Sequence, residues 1–182
     1  VRGAHALGID YVPEDRKGKG LCLTLSVGEN IAMGSLPRRS RFGFINLRSE
    51  NQVISKYVKA MNIKTPSAAQ LVGNLSGGNQ QKVSIGKNLA DEPVLLLLNE
   101  PTRGIDVEAK QEIYKLIREL ADQGVGIIVY TSDMMEVIGI SDRVVTMYEG
   151  SLTGEYTGDM INEVSIMQGA MDLNHQTEKG EQ

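Results

Sequence analysis

The sequence predicts an α/β fold: a mostly parallel sheet with a helical subdomain and a C-terminal β-hairpin. Three observations carry that reading. Residues 94–98, Val-Leu-Leu-Leu-Leu, are an unbroken apolar run of strand length, as expected of a parallel strand covered on both faces. Behind it, Asp106 can cap a helix whose Ile113, Leu116, Ile117 and Leu120 form an apolar stripe, and residues 126–131 give a second buried strand. Finally, residues 143–148 and 151–156 flank Glu149-Gly150, a pair suited to a hairpin turn.

The remaining elements follow in chain order. Residues 7–12 read as a short strand that stops at Pro13, which cannot donate to a ladder. Gly18 and Gly20 mark a loop. Ser26 and Glu29 form a capping box that opens a short helix over 26–33. Residues 38–48 are basic and read as an irregular surface loop, and a second capping box, Ser49 with Gln52, opens a helix. Its apolar face is Val53, Ile54, Tyr57, Val58 and Met61. A glycine turn at 77–78 leads a helix running to about Ala90, Gly124 ends the helix behind Asp106, and Asp133 with Glu136 opens another. A last helix presents Met160, Val164, Met167 and Met171 together, a stripe read as core filler. From Asn174 the chain is polar.

Bulk properties narrow the function classes. The 182 residues fit one domain and suffice for a real core. A net charge of −4 argues against a nucleic-acid groove, and an aromatic content of 4% argues against base stacking. Cys22 is alone, which excludes a disulfide framework or cysteine metal cluster and fits a reducing compartment. No apolar run reaches the roughly 20 residues that span a bilayer. The start, Val1-Arg2-Gly3-Ala4-His5, has no apolar signal segment, and lacking an initiator Met it implies an upstream portion. His5 and His175 are isolated and read as solvent-facing.

Two segments carry chemistry. Leu75-Ser76-Gly77-Gly78-Asn79-Gln80-Gln81-Lys82 is a glycine-rich turn opening a helix. Its bare N–H groups and roughly half a positive charge at the helix start suit a terminal phosphate, although an ordinary helix start has the same look. Asn99-Glu100-Pro101-Thr102 follows the apolar strand, so Glu100 stands where a strand's carboxyl end delivers a side chain to a ligand crevice. A phosphate-cradling loop is absent from the sequence. Gly86-Lys87 has Gln81 and Asn88 where the loop needs Gly and a hydroxyl, and Gly18-Lys19 has Pro13 and Gly20 there. The dinucleotide pattern fails as well, since Gly18-x-Gly20 is followed by Leu23 and Gly124-x-Gly126 by Val129.

In order and spacing these segments resemble the signature and Walker B strand of ABC-type ATPases, and Gly78-Asn79-Gln80-Gln81-Lys82 is similar to the variant of bacterial sugar importers of ribose, xylose or galactose type. Tyr11-Val12-Pro13-Glu14-Asp15-Arg16-Lys17 resembles the Q-loop region of their second ATP-binding halves, with Glu14 at the usual glutamine. Thr102-Arg103-Gly104-Ile105-Asp106 resembles the D-loop, whose Asp106 also serves as an N-cap. The resemblance runs from about Gly8 to Gly169 and implies a P-loop NTPase-like ABC ATPase domain lacking its N-terminal P-loop part. Its extent would be residues 1–173, with a helical subdomain at about 20–71 that docks on a permease, a signature and Walker B core at about 72–173, and a polar tail at 174–182.

The resemblance also implies roles. Glu100 is the catalytic residue that positions the attacking water, and phosphoryl transfer needs chiefly such positioning plus charge neutralisation. Ser76, Gly77, Gly78, Gln80, Asn99, Asp106, Ser132 and Glu14 are expected to bind nucleotide, with ATP and Mg²⁺ as the ligands. Asn99 stands where the family has Asp and meets the metal only weakly, through water; Ser132 stands where the family has its switch histidine. Partners are a second ATP-binding half or protomer, a transmembrane sugar permease and, indirectly, an extracytoplasmic sugar-binding protein, with no nucleic acid, at the cytoplasmic side of the membrane. The chain is expected to offer its signature to a partner's ATP and to hold none itself. The P-loop strand belongs inside the sheet, so exposed edges are expected to promote aggregation. Two other classes compete. A chromosome-maintenance ATPase of the same type would carry sustained heptads, which are absent. A non-catalytic docking module would tolerate Asn99 and Ser132.

Overall fold

The computed structural model describes residues 2–36, 40–41 and 44–172, with the side chains of Arg2 and of 40–45 left aside. The polar tail from 174 and His175 lie outside the described residues. By internal contacts the chain divides into two compact units, Val1–Tyr130 and Thr131–Gln182.

In the first unit, helix α1 (Arg2–Ala6) precedes strand β1 (Ile9–Val12). The sequence reading began that strand at 7, but Gly8 at φ +73° turns the chain first. The expected Gly18–Gly20 loop is a wound turn (Arg16–Gly20) whose Asp15 carboxylate accepts from Gly18 N at 2.9 Å. Helix α2 (Val27–Gly34) opens on the expected capping box: Ser26 Oγ accepts from Glu29 N, and Glu29 accepts from Ser26 N at 2.7 Å. These bonds to Ser26 hold the Glu29 carboxyl below its ordinary range. Buried Asn30 ties α2 to the preceding loop, accepting from Cys22 N at 2.9 Å and donating to Cys22 O at 3.0 Å.

The basic stretch holds two short antiparallel strands, β2 (Ser40–Arg41) and β3 (Phe44–Ile45), where a loop was expected. Helix α3 (Leu47–Ala60) then starts earlier than its predicted box. Asn46 is the cap, accepting from Arg48 N and Ser49 N, so Ser49 falls within the first turn. A 3₁₀ turn (Val72–Asn74) leads into α4 (Gly77–Leu89), followed by β4 (Leu95–Asn99), α5 (Val107–Asp122) and β5 (Gly126–Tyr130). The sheet order is β1-β4-β5 and both pairings are parallel, with Tyr11, Leu97 and Ile128 in register.

Helix α4 packs on β1 and α5 on β5, while α2 packs on α3 and α4. One face of the sheet is thereby sealed: Val12, Leu96 and Leu98 are at most 1% exposed. Ile113, Leu116, Ile117 and Leu120 of α5 are buried as their spacing predicts. The opposite face departs from expectation, because Tyr11, Ile128 and Tyr130 are 51%, 56% and 69% exposed. An apolar run signals a strand that wants cover on both sides, and among the described residues of this unit one face is left largely open. Between α4 and α5, Lys82 is buried and donates to Glu112 at 2.6 Å and to Asn62 O at 3.2 Å. Lys82 and Lys64 together pull the Glu112 carboxyl below its ordinary range.

The second unit contains α6 (Met134–Ile140), the hairpin β6 (Arg143–Tyr148) and β7 (Ser151–Thr157), a 3₁₀ turn (Gly158–Met160) and α7 (Glu163–Ala170). Glu149 and Gly150 both have positive φ, as a two-residue hairpin turn requires. Its core is Val144, Tyr156 and Ile166, packed by Met134, Val137, Ile138 and Ile161. The methionine stripe is a correction, since Met160, Val164, Met167 and Met171 are all exposed. Helix α7 instead buries Ile166 and Gly169, and a Cβ on Gly169 would fall on the Tyr156 hydroxyl, so only glycine lets the helix rest there.

Candidate functional site around the α4 turn and the β4 end

The glycine turn opens α4 as expected, with Ser76 extended at the cap. Its hydroxyl caps no backbone group; it accepts from Asn79 Nδ2 at 3.0 Å, and Asn79 Oδ1 accepts from Lys64 N at 2.8 Å. Ser76 is exposed and Gly77 half-buried, so the first N–H groups of α4 lie near the surface. The two glycines also have internal reasons. A Cβ on Gly78 would sit 2.6 Å from Ala109 Cβ of α5, and one on Gly77 would sit 2.9 Å from Arg16 Nη2. Gln80 does not reach outward. It is buried and donates to Val72 O at 3.2 Å and Leu75 O at 3.1 Å, a position that braces the turn from beneath.

Strand β4 ends on Asn99, whose Nδ2 donates to the Tyr11 hydroxyl at 2.8 Å. That bond turns Oδ1 the other way, where it is buried and has no protein partner. A neutral acceptor left open fits a metal-bound water and supplies no charge. Glu100 follows at φ +47°, a left-handed conformation uncommon for a residue with a side chain. Its N–H donates to Tyr130 O at 2.8 Å and its carbonyl accepts from Arg103 N at 3.2 Å. Strain of this kind gathers at functional sites because the surroundings must over-determine it. Asp106 accepts from Ala109 N at 2.9 Å as the cap of α5.

Glu14 pairs with the Arg103 guanidinium, joining the segment after β1 to the turn after β4. Beside it, Arg16 donates to Arg103 O at 3.0 Å and reaches Gly104 O at 3.5 Å. The first unit thus brings together Glu14, the α4 turn and the Asn99–Asp106 segment. Ser132 belongs to the second unit, where it is exposed just ahead of the Asp133 cap.

Sequence reasoning missed Arg16 and Tyr11, because nothing in their spacing marks a partner so distant in the chain. His5 is exposed, as expected, but it is not isolated. That ring bonds Asp10 at 2.8 Å and lies 3.2 Å from Asp91, and the hydrogen bond and charge of Asp10 raise its pKa above the ordinary value.

Comparison with known proteins decides the family. The family model described as ABC transporter matches residues 4–103. The chain belongs to the ABC transporter family. Among curated ABC proteins, the ribose import ATP-binding protein RbsA of Clostridium perfringens (strain SM101 / Type A) is 47% identical over 92% of this chain. The protein of that name from Rhodopirellula baltica is 46% identical over 90%. The chain spans 34% and 32% of those relatives' lengths. Solved structures share the fold. A dimeric ATP-binding cassette in a post-hydrolysis state with ADP and Pi aligns at a TM-score of 0.68 and 24% identity, covering 82% of this chain and 62% of that one. A metal-chelate type ABC transporter in an inward-facing conformation aligns at 0.76 and 22%, covering 90% and 64%. The ABC fold expected from the motifs is therefore present.

Proposed function

We propose that this chain is the signature-bearing part of the ATP-binding subunit of a monosaccharide importer, with ribose the sugar its relatives' names indicate. The observation that carries the reading is the joining, within one unit, of the Ser76-Gly77-Gly78 turn and the strained Glu100 turn through Arg16. The turn offers its backbone N–H groups and the Ser76 hydroxyl to the terminal phosphate of an ATP held by a second ATP-binding half. Glu100 orients the attacking water for a different ATP, the one held by the phosphate-binding loop of its own ATP-binding half, a loop this sequence does not contain. Gln80 acts through the turn it braces. Asn99 holds a metal-bound water through Oδ1, with Tyr11 fixing its amide. Mg²⁺, when bound with ATP, neutralises charge on the transferred phosphoryl group. Asp106 orders the segment facing the second half, and Ser132 donates to a phosphate oxygen.

Residues 20–71 form the face that meets a transmembrane sugar permease at the cytoplasmic side of the membrane, with an external sugar-binding protein as the indirect partner. Among the described residues no helix is long and apolar enough to cross a membrane, which fits a peripheral subunit. Replacing Ser76 by Arg in the full-length protein tests the reading, because the exposed site tolerates the side chain while the phosphate position is filled. Loss of ATP hydrolysis with an unchanged melting midpoint is expected, and undiminished hydrolysis would contradict it.

A second reading has its own support. Asn99 brings no charge to the metal, which suits a docking module with a degenerate nucleotide site. Asn99→Asp separates the two: a gain in hydrolysis marks a weakened enzyme, and no change marks docking alone.

A further inference from the structure

We propose that Arg16 is a positioning residue that couples the Glu14 segment and the turn after Glu100 to the start of α4, an inference that rests on the signature reading above. The wound turn capped by Asp15 fixes its backbone. Its guanidinium then lies between two segments far apart in sequence. Nη1 donates to Arg103 O at 3.0 Å, Nη2 lies 3.5 Å from Gly104 O, and a Cβ on Gly77 would come within 2.9 Å of the same Nη2. The fork thus lies against Gly77, where any side chain would push aside the end of Arg16. The Glu14–Arg103 pair makes a second link between the same two segments.

The chemistry favours ordering over stability. A planar fork can address adjacent carbonyls and lie against a neighbouring backbone at once, which the single ammonium of Lys cannot. Both partners of the Glu14–Arg103 pair are substantially exposed, and pairs of that kind add little to folding. What the arrangement does supply is a rigid connection. A push on the Glu14 segment shifts Arg103 and Gly104, and through Arg16 it shifts the N–H groups of Gly77 and Gly78.

Steady-state hydrolysis and thermal melting of the full-length protein test this with Arg16→Met, which keeps length and removes every donor, and Arg16→Lys, which keeps charge and one donor point. Arg16→Met is expected to lower kcat on the order of tenfold, with a smaller change in KM for ATP, because misplacement mainly affects the transition state. Its melting midpoint should stay within about 2 °C of wild type, and Arg16→Lys should recover part of the rate. Wild-type kcat in Arg16→Met overturns the proposal and leaves the signature reading standing, provided Ser76→Arg is inactive. A rate loss that tracks a lowered midpoint, with Lys no better than Met, overturns it too. If the wild-type protein itself does not hydrolyse ATP, the signature reading fails and this inference falls with it.

Discussion

The two faces of the β1-β4-β5 sheet are built from similar residues and end in opposite situations. Val12, Leu96 and Leu98 sit under α4 and α5, out of contact with water, while Tyr11, Ile128 and Tyr130 on the other face stand open. Composition separates them only in part: both sets are bulky and largely apolar, although the open face carries the hydroxyls of Tyr11 and Tyr130. What decides the outcome is whether a partner element lies against them. The difference teaches that the apolar runs of this chain specify more packing than its described residues provide, which is how one expects a sheet to look when a further element of its fold completes it.

The largest test of that contrast is truncation on each face. Leu96→Ala or Ile113→Ala should cost about 2–5 kcal/mol in denaturant unfolding, through lost burial and a cavity. Ile128→Ala should change stability by less than about 0.5 kcal/mol, as an exposed position does. Equal losses on both faces would end the comparison. A related expectation concerns solubility: the open face and the edge strands β1 and β5 should make the chain self-associate with rising concentration, read by sedimentation, and a stable cooperative monomer would count against it.

A middle-sized test contrasts two glycines. Gly78→Ala drives a methyl to 2.6 Å from Ala109 Cβ, and such overpacking costs about 1–3 kcal/mol. Gly104→Ala meets nothing within 4 Å and is strained only by its φ of +66°, so its cost in the same unfolding experiment should be the smaller.

These cases show what was legible. The strand-helix-strand rhythm, the α5 stripe, the Ser26 box and the hairpin turn were readable because each depends on local spacing and caps. The α7 stripe was misread because helical period says which residues share a face and not which face is covered; Ile166 and Gly169, beside Tyr156, took the inner side. The α3 start was misplaced because Asn and Ser are both good caps, and in the fold it is the Asn46 side chain that accepts from Arg48 N and Ser49 N. Of the candidate site, motif order pointed to Ser76, Gly77, Gly78 and Glu100, and the fold sets the first three at the start of α4 and Glu100 just past the end of β4. Gln80 turned inward, Arg16 reached across some 87 residues of sequence to Arg103, and the left-handed Glu100 had no sequence marker.

Smaller effects come from titration. Glu112 has a lowered folded pKa, so its contribution is present above the ordinary value of 4.5 and lost as pH falls through the folded value. Wild type should therefore lose more stability than Glu112→Gln on acidification below about pH 5, measured by urea unfolding. His5 is the reverse case. Its folded pKa is raised, so the contribution is complete below 6.5 and is lost as pH rises through the folded value. His5→Asn should flatten a shallow stability decline between neutral and mildly alkaline pH, and an unchanged profile would remove the Asp10 contact from the account.

The central claim, that this chain lends its signature to an ATP held elsewhere, is tested most directly by titrating Mg-ATP into the isolated chain by calorimetry. No saturable binding in the micromolar range is the predicted result. Micromolar affinity would mean that the chain builds a nucleotide site of its own, and the account would be wrong.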